Sequence, residues 1–202
     1  MTGGGLSLDD NFVLAEEHKI GGAGVLKELH AGLVLTVRDL AVLMTVVSDN
    51  AASNMLMDLV GTDNVNALLK EAGALGSVLR KKFMVELSDP AIINEMTPLD
   101  TLLLLKKLYE GSLLSEVGRD EVIRILCRQQ YNEKIPLFLP ESLPIAHKTG
   151  EVTGVRHDAA IVLHPERPYI LVIFTSDLAD PLEGDRAIAD ISLIVYRHFS
   201  GR

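Results

Sequence analysis

The chain has 202 residues, which is the size of one domain and long enough to bury a large core. Its formal net charge of −9 argues against nucleic acid or an anionic membrane as the main partner. No apolar run approaches the ~18 residues of a membrane span. Cys127 is the only cysteine, so no intrachain disulfide can form, and its apolar surroundings in VIRILCRQQ predict a buried structural thiol.

The first half of the chain predicts mainly helices. Residues 1 to 23 are typical of a loop with one short extended or helical turn, and a flexible glycine-rich segment then leads into a short amphipathic helix over 25–30. Thr36 with Asp39 resembles a capping box, which opens a helix over 37–47. Two further helices are predicted, over about 51–60 and from 62 or 63 to 72, and each stops at a glycine.

The second half changes from helical to strand-like periodicity. Thr97-Pro98 begins a helix that runs to Glu110 and stops at Gly111, and another is predicted over about 116–128. Strand patterns follow over 143–149, 158–163 and 169–175, and an amphipathic helix over 181–199 closes the chain. This order predicts an α+β domain in which three antiparallel strands of one sheet are flanked by helices.

A polar tripeptide, Ser48-Asp49-Asn50, interrupts two apolar helical segments. Short polar side chains compete for backbone hydrogen bonds and favour caps and turns, so one interpretation is that Asp49 or Asn50 simply caps the next helix. A second tripeptide, Lys148-Thr149-Gly150, stands in HKTGEVTGVRHDAAIV, where the lysine can equally be a surface residue before a turn. Together and in this order, the two tripeptides rarely occur by chance.

S-D-N followed by K-T-G is two of the three motifs of class A β-lactamases and penicillin-binding proteins. With MTPLDTLLLLKKLYEG and AHKTGEVTGVRHDAAIV, the chain resembles the serine β-lactamase-like superfamily over nearly its whole length. The resemblance implies a single β-lactamase-like domain over 1–202. The third motif, S-x-x-K, is missing, because no serine in the chain has a lysine three residues later.

We therefore expect an N-terminally truncated family domain that lacks two strands and the nucleophile helix, with residues 1–5 a late start or an expression remnant. The missing helix would leave apolar surface uncovered, which predicts a homodimer, an exchanged element, or N-terminal residues folded into the gap. The family is usually exported, although no signal peptide opens this chain.

By resemblance, Ser48 relays a proton to the leaving nitrogen, Asn50 holds the substrate amide, and Asp49 fixes their loop. Lys148 and Thr149 match the family residues that hold the carboxylate of a penicillin or of a peptidoglycan stem peptide. We expect Ser48, Asn50, Lys148 and Thr149 to converge on one cleft between the helical part and the sheet.

The residues after Thr149 complete the predicted substrate site. Gly150 keeps the strand edge clear so that a substrate can pair along it. The backbone N–H of Glu151 matches one oxyanion donor, and the long Glu151 side chain narrows the site. Arg156 and His157 lie where related enzymes supply a second cation, or they form a solvated turn. Asp158 is predicted to be structural.

The resemblance implies a serine hydrolase that acts on β-lactams or peptidoglycan-type amides through an acyl-enzyme, without metal or cofactor. Neither Glu86 nor Glu95 fits the E-x-x-x-N segment that supplies the deacylating base of true lactamases, which favours behaviour like a penicillin-binding protein, peptidase or esterase. This chain alone is expected to be inactive. The alternative is a non-catalytic module that binds or senses carboxylates or β-lactams. An in-frame S-x-x-K upstream of Met1 would favour the enzyme.

Overall fold

The computed structural model describes residues 5–86 and 88–201. Residues 1–5 were expected to be a late start or an expression remnant, and residues 1–4 of these lie outside the described residues. The elements are, in chain order, β1 (Asn11–Val13), β2 (Val34–Thr36), α1 (Val37–Val46), α2 (Asn50–Val60), α3 (Thr62–Ala72), α4 (Pro98–Glu110), α5 (Glu116–Leu126), β3 (Ile145–Val152), β4 (Val155–Val162), β5 (Tyr169–Thr175) and α6 (Pro181–Phe199). This order confirms the predicted α+β class.

The chain divides into two compact units, Met1–Ala67 with Leu79–Asn94, and Leu68–Val78 with Glu95–Arg202. In the first unit, α1 and α2 pack against the segment that precedes them. The core residues there are Leu14, Leu26, Leu40, Ala51, Ala52 and Met55. The predicted capping box of α1 is confirmed, since the Thr36 side chain accepts from the Asp39 amide while Asp39 accepts from the Thr36 amide.

Two local features of the first unit differ from the sequence prediction. β1 pairs antiparallel with β2, from Asn11↔Thr36 to Val13↔Val34, and the second of these strands was missed. The helix predicted over 25–30 is wrong, because the segment forms only a single 3-10 turn over Leu26–Glu28. The Asp49 carboxylate, which is distant in sequence, accepts the amides of Val25 and Leu26 at the start of this turn.

The second unit is built on a three-stranded antiparallel sheet, as predicted, and its strands lie in the order β3-β4-β5. Successive side chains alternate between its two faces. One face packs against α6, with Ile145, Ala160, Val162 and Ile188 in the shared core. The other packs against α4 and α5, with Leu108, Ala146 and Ile161 buried between them.

The hairpin between β3 and β4 is tighter than the sequence suggested. The ladder continues to Val152↔Val155, so that only Thr153 and Gly154 form the turn. Gly154 has φ +73°, a left-handed conformation that glycine adopts without steric cost. Glu151 and Arg156, predicted in or beside a connecting loop, are therefore strand residues that face each other across the ladder.

The prediction of a buried thiol at Cys127 is wrong. α5 ends at Leu126, two residues earlier than predicted, and Cys127 follows it as an exposed residue. Among the residues that the structure describes, no helix is both long enough and apolar enough to cross a membrane.

Candidate active site

The two sequence motifs lie in different units, and each is built by its own surroundings. Ser48 lies between α1 and α2, half-buried, with φ +54°. This left-handed conformation is uncommon for a residue with a Cβ and costs of order 1–3 kcal/mol, so the surrounding contacts must hold it. Part of that hold comes from the next residue, because the Asp49 amide donates to the Leu43 carbonyl at 3.1 Å.

Asp49 is the fixed point of the first motif. Its side chain is buried, with 1% exposure, and its carboxylate accepts three backbone N–H groups. These come from Val25 at 2.6 Å, Leu26 at 2.9 Å and Ala52 at 3.0 Å. The last bond caps α2, so both the capping interpretation and the predicted loop-fixing role of Asp49 are confirmed.

Asn50 is the first residue of α2 and is also tied to the glycine-rich segment. Its amide donates to the Ala23 carbonyl at 3.1 Å, and its side-chain Nδ2 donates to the Gly21 carbonyl at 3.2 Å. A Cβ placed on Gly24 would lie 2.2 Å from the Asp49 Cγ. The glycines were predicted as a flexible lead-in, but Gly24 is needed because the backbone passes directly against the motif.

Lys148 and Thr149 project to opposite faces of β3. Thr149 is buried and lies opposite Asp158 in the ladder, on the face that α6 covers. Lys148 shares its face with Ala146 and Ile161. Burial lowers the pKa of Lys148 to about 8, although the charges of Asp158 and Glu151 oppose this shift. The ammonium is therefore mainly protonated at pH 7, but close to its titration range.

Asp158 is fully buried on β4 and holds several parts of the second unit together. Its carboxylate accepts the backbone N–H of Ile135 at 3.1 Å and lies 3.0 Å from Nδ1 of the buried His147. The other ring nitrogen of His147 is 3.2 Å from the Asn132 side-chain oxygen. The predicted structural role of Asp158 is confirmed by these contacts.

A buried lysine that the sequence analysis missed lies beside the second motif. Lys134 has 1% exposure, donates to the Glu151 carboxylate, and lies 3.3 Å from Oδ1 of Asp185 on α6. Its segment, YNEKIP, has no periodic pattern, and a lysine there reads as a solvated side chain. No local signal would have revealed its burial, because its partners are distant in sequence.

Arg156 and His157 lie on opposite faces of β4. Nη1 of Arg156 donates to the carbonyls of Val152 at 3.2 Å and Val155 at 2.9 Å, so this side chain braces the hairpin. The His157 ring stacks on Phe174 with a centroid distance of 4.0 Å. Burial lowers the pKa of His157 below its ordinary value, so burial disfavours a positive charge on this ring.

Gly150 and Glu151 end the motif strand. A Cβ on Gly150 would meet the His157 Cβ at 3.6 Å, which is ordinary contact, so a larger side chain is tolerated on this face within the unit. The role predicted for Gly150 toward substrate stays a prediction. The Glu151 side chain is half-exposed and turns toward Lys134.

A cavity of about 520 Å³ in the second unit is separate from this motif. Its lining includes Cys127, Asn132, Leu139, Glu141 and His147, but not Lys148 or Thr149. Among the described residues, no lysine or arginine lines this cavity. Within residues 5–86 and 88–201, no three His, Cys, Asp or Glu side chains are grouped to hold a metal ion.

Comparison with known proteins gives concordant matches. The model of the beta-lactamase enzyme family matches residues 1–199. A curated beta-lactamase of Phocaeicola vulgatus is 28% identical over 178 residues, which are 80% of this chain and 56% of that protein. The chain thus spans little more than half the length of such relatives.

Two solved structures share the fold. The beta-lactamase from Sphaerobacter thermophilus DSM 20745 superposes with a TM-score of 0.92 at 34% identity, over 97% of this chain and 75% of that one. PBP-A superposes with a TM-score of 0.85 at 27% identity, over 98% of this chain and 74% of that one.

We predict that Asp49→Ala lowers the free energy of unfolding by about 3 kcal/mol or more, because three backbone amides lose their acceptor and the hydrogen bonds of two of them, Leu26 and Ala52, are buried. Asp39→Ala is the matched control. It removes an exposed capping carboxylate and is expected to cost only about 1 kcal/mol. Urea unfolding measures both, and equal costs would contradict the anchoring role of Asp49.

We predict that Lys148→Met raises the free energy of unfolding at pH 7 by roughly 1–3 kcal/mol, because it removes a buried charge. The folded pKa of Lys148 lies below its unfolded value, so the unfolded chain binds this proton more tightly. The free energy of unfolding of the parent chain should therefore rise between pH 8 and 10.5. The difference in this free energy between Lys148→Met and the parent chain should shrink over the same range. A constant gap across this window, measured by urea unfolding, would contradict the prediction.

Proposed function

Because the chain belongs to the beta-lactamase enzyme family, we propose that it supplies the substrate-holding and proton-relay residues of a serine hydrolase that acts on β-lactams through an acyl-enzyme. The observation that carries the proposal is the placement of Lys148 and Thr149 on β3, with a buried ammonium that is still protonated at pH 7. This arrangement suits the carboxylate that penicillins carry.

The substrate is proposed to bind along the outer edge of β3. In the sheet order β3-β4-β5, this edge pairs with no other strand among the described residues. An amide-bearing substrate can add to such an edge by main-chain hydrogen bonds. Its carboxylate is proposed to lie at that edge, where the Lys148 and Thr149 side chains approach it from opposite faces of the strand. A variant of PBP-A has been solved as an acyl-enzyme complex with penicillin G, which supports this substrate class.

The nucleophile is proposed to come from outside the 202 residues, since no serine in them has a lysine three positions later. Its hydroxyl oxygen attacks the lactam carbonyl carbon, the new C–O ester bond forms, and the lactam C–N bond breaks. Ser48 passes the hydroxyl proton to the leaving nitrogen, and Asn50 holds the side-chain amide of the substrate. The backbone N–H of Glu151 donates to the developing oxyanion.

Release of the acyl group is proposed to be slow. Glu86 is followed four positions later by Pro90, and Glu95 lies only two residues before Thr97, so neither fits the position of a deacylating base. Without that base, water attacks the ester slowly. The protein would then resemble a penicillin-binding protein more than an efficient lactamase.

A binding or sensing module is the second candidate function. It is favoured by the same observation, the lack of an S-x-x-K element within the 202 residues. Such a module would keep the carboxylate site formed by Lys148 and Thr149 and would bind β-lactams without forming a covalent bond. The two functions differ in whether a penicilloyl ester ever forms.

We predict that benzylpenicillin leaves no covalent adduct on the 202-residue chain and that the chain does not hydrolyse a chromogenic cephalosporin. Losing a catalytic nucleophile leaves only the residual effects of binding and oxyanion contacts. Intact-protein mass spectrometry after incubation with the penicillin is the measurement. A protein extended upstream to include an S-x-x-K element should carry an adduct that persists for minutes.

Serine variants of the extended protein provide the control. Replacing the S-x-x-K serine with alanine should abolish the adduct, whereas Ser48→Ala should slow its formation. A stoichiometric adduct on the 202-residue chain itself would contradict the proposed source of the nucleophile. An extended protein that binds penicillin but never becomes labelled would favour the binding module.

A further inference from the structure

The Glu151 carboxylate lies among three cations of the second unit. It accepts a hydrogen bond from Lys134, and the charges of Arg156 and Lys148 also act on it. Burial raises the pKa of the Glu151 carboxyl, but these cations outweigh burial and hold the pKa below its ordinary value. The carboxylate is therefore ionised at neutral pH and already occupies the position at which these three cations would attract another anion.

Lys134 depends on this contact. A lysine that is 99% buried needs an anionic partner, and Asp185 alone is a poor one. Oδ1 of Asp185 lies 3.3 Å from Nζ of Lys134 and 3.6 Å from Nε of Arg156, yet among the described residues it makes no hydrogen bond. The hydrogen bond of Lys134 to a carboxylate is thus supplied by Glu151.

Glu151 also lies on the same face as Thr149. Side chains two apart on a strand share a face, and Arg156, its partner in the ladder, shares that face too. The Glu151 side chain is 46% exposed, so its carboxylate is open to water as well as bonded to Lys134. A carboxylate therefore lies two residues after the hydroxyl that is proposed to receive the substrate carboxylate, on the same face of β3.

We propose that the Glu151 carboxylate is an intramolecular competitor for the substrate carboxylate and makes Glu151 a specificity-determining residue. This inference rests on the proposed function. An anionic ligand beside Thr149 must either share the positive charge of Lys134 with the Glu151 carboxylate or displace that carboxylate from Lys134. A neutral ligand does not compete for Lys134. Glu151 thus weakens the binding of carboxylate-bearing substrates in particular. This electrostatic effect adds to the steric effect of its long side chain.

The test compares an acidic and a neutral ligand on the 202-residue chain. Dissociation constants for benzylpenicillin and its methyl ester are measured by NMR titration at pH 7 and fixed ionic strength. Glu151→Gln is expected to lower the constant for benzylpenicillin roughly three- to tenfold and to leave that for the ester unchanged. Glu71→Gln, which removes an exposed charge on α3, is the matched control and should change neither constant.

Glu151→Asp retains the negative charge on a side chain that is one methylene shorter. Its dissociation constant for benzylpenicillin should lie between those of the parent chain and Glu151→Gln. Added salt should reduce the gain. Equal gains for the acid and the ester would mean that Glu151 acts by its size, and this would overturn the inference. Equal affinity of the parent chain and Glu151→Gln for benzylpenicillin would overturn it while leaving the proposed function intact. If no variant binds either ligand, the proposed function fails and the inference fails with it.

Discussion

A buried aspartate that accepts backbone N–H groups fixes each of the two motifs. Asp49 joins the start of α2 to the segment around Val25, and Asp158 joins β4 to the segment around Ile135. In both cases the carboxylate ties a loop segment to a regular element. Because a buried carboxylate without such partners is costly, the loops and the aspartates must fold together. Asn50 follows Asp49 directly in the chain, and Thr149 lies opposite Asp158 in the ladder.

Positive charge in the second unit is buried together with the acids that balance it. Lys134 lies against Glu151 and Asp185, and Lys148 is stabilised by the charges of Asp158 and Glu151. Burying a lysine costs stability, and the lowered pKa of Lys148 records that cost. We propose that the Lys148 charge serves a ligand, since perturbed pKa values cluster at functional sites. Ser48, held in the left-handed region, is a comparable local strain in the first unit.

Local signals made most of the fold predictable. The capping box at Thr36, the Pro98 start and Gly111 end of α4, and the three strands all depend on neighbouring residues, and the structure has them. The β1-β2 pair was not predicted as a pair because strands of three residues carry too short a pattern. The 3-10 turn at Leu26 and the burial of Lys134 were missed because their partners are distant in sequence. Apolar neighbours predict a buried Cys127, but the residue is exposed because α5 ends just before it.

We propose that both motifs serve one carboxylate-bearing β-lactam. The most direct measurement is a ¹H–¹⁵N NMR titration of the 202-residue chain with benzylpenicillin. Saturable shifts at the amides of 148–151 and of 48–50, with one common dissociation constant, are the predicted result. Shifts confined to the cavity that Cys127 and Leu139 line, or different constants at the two motifs, would contradict the claim.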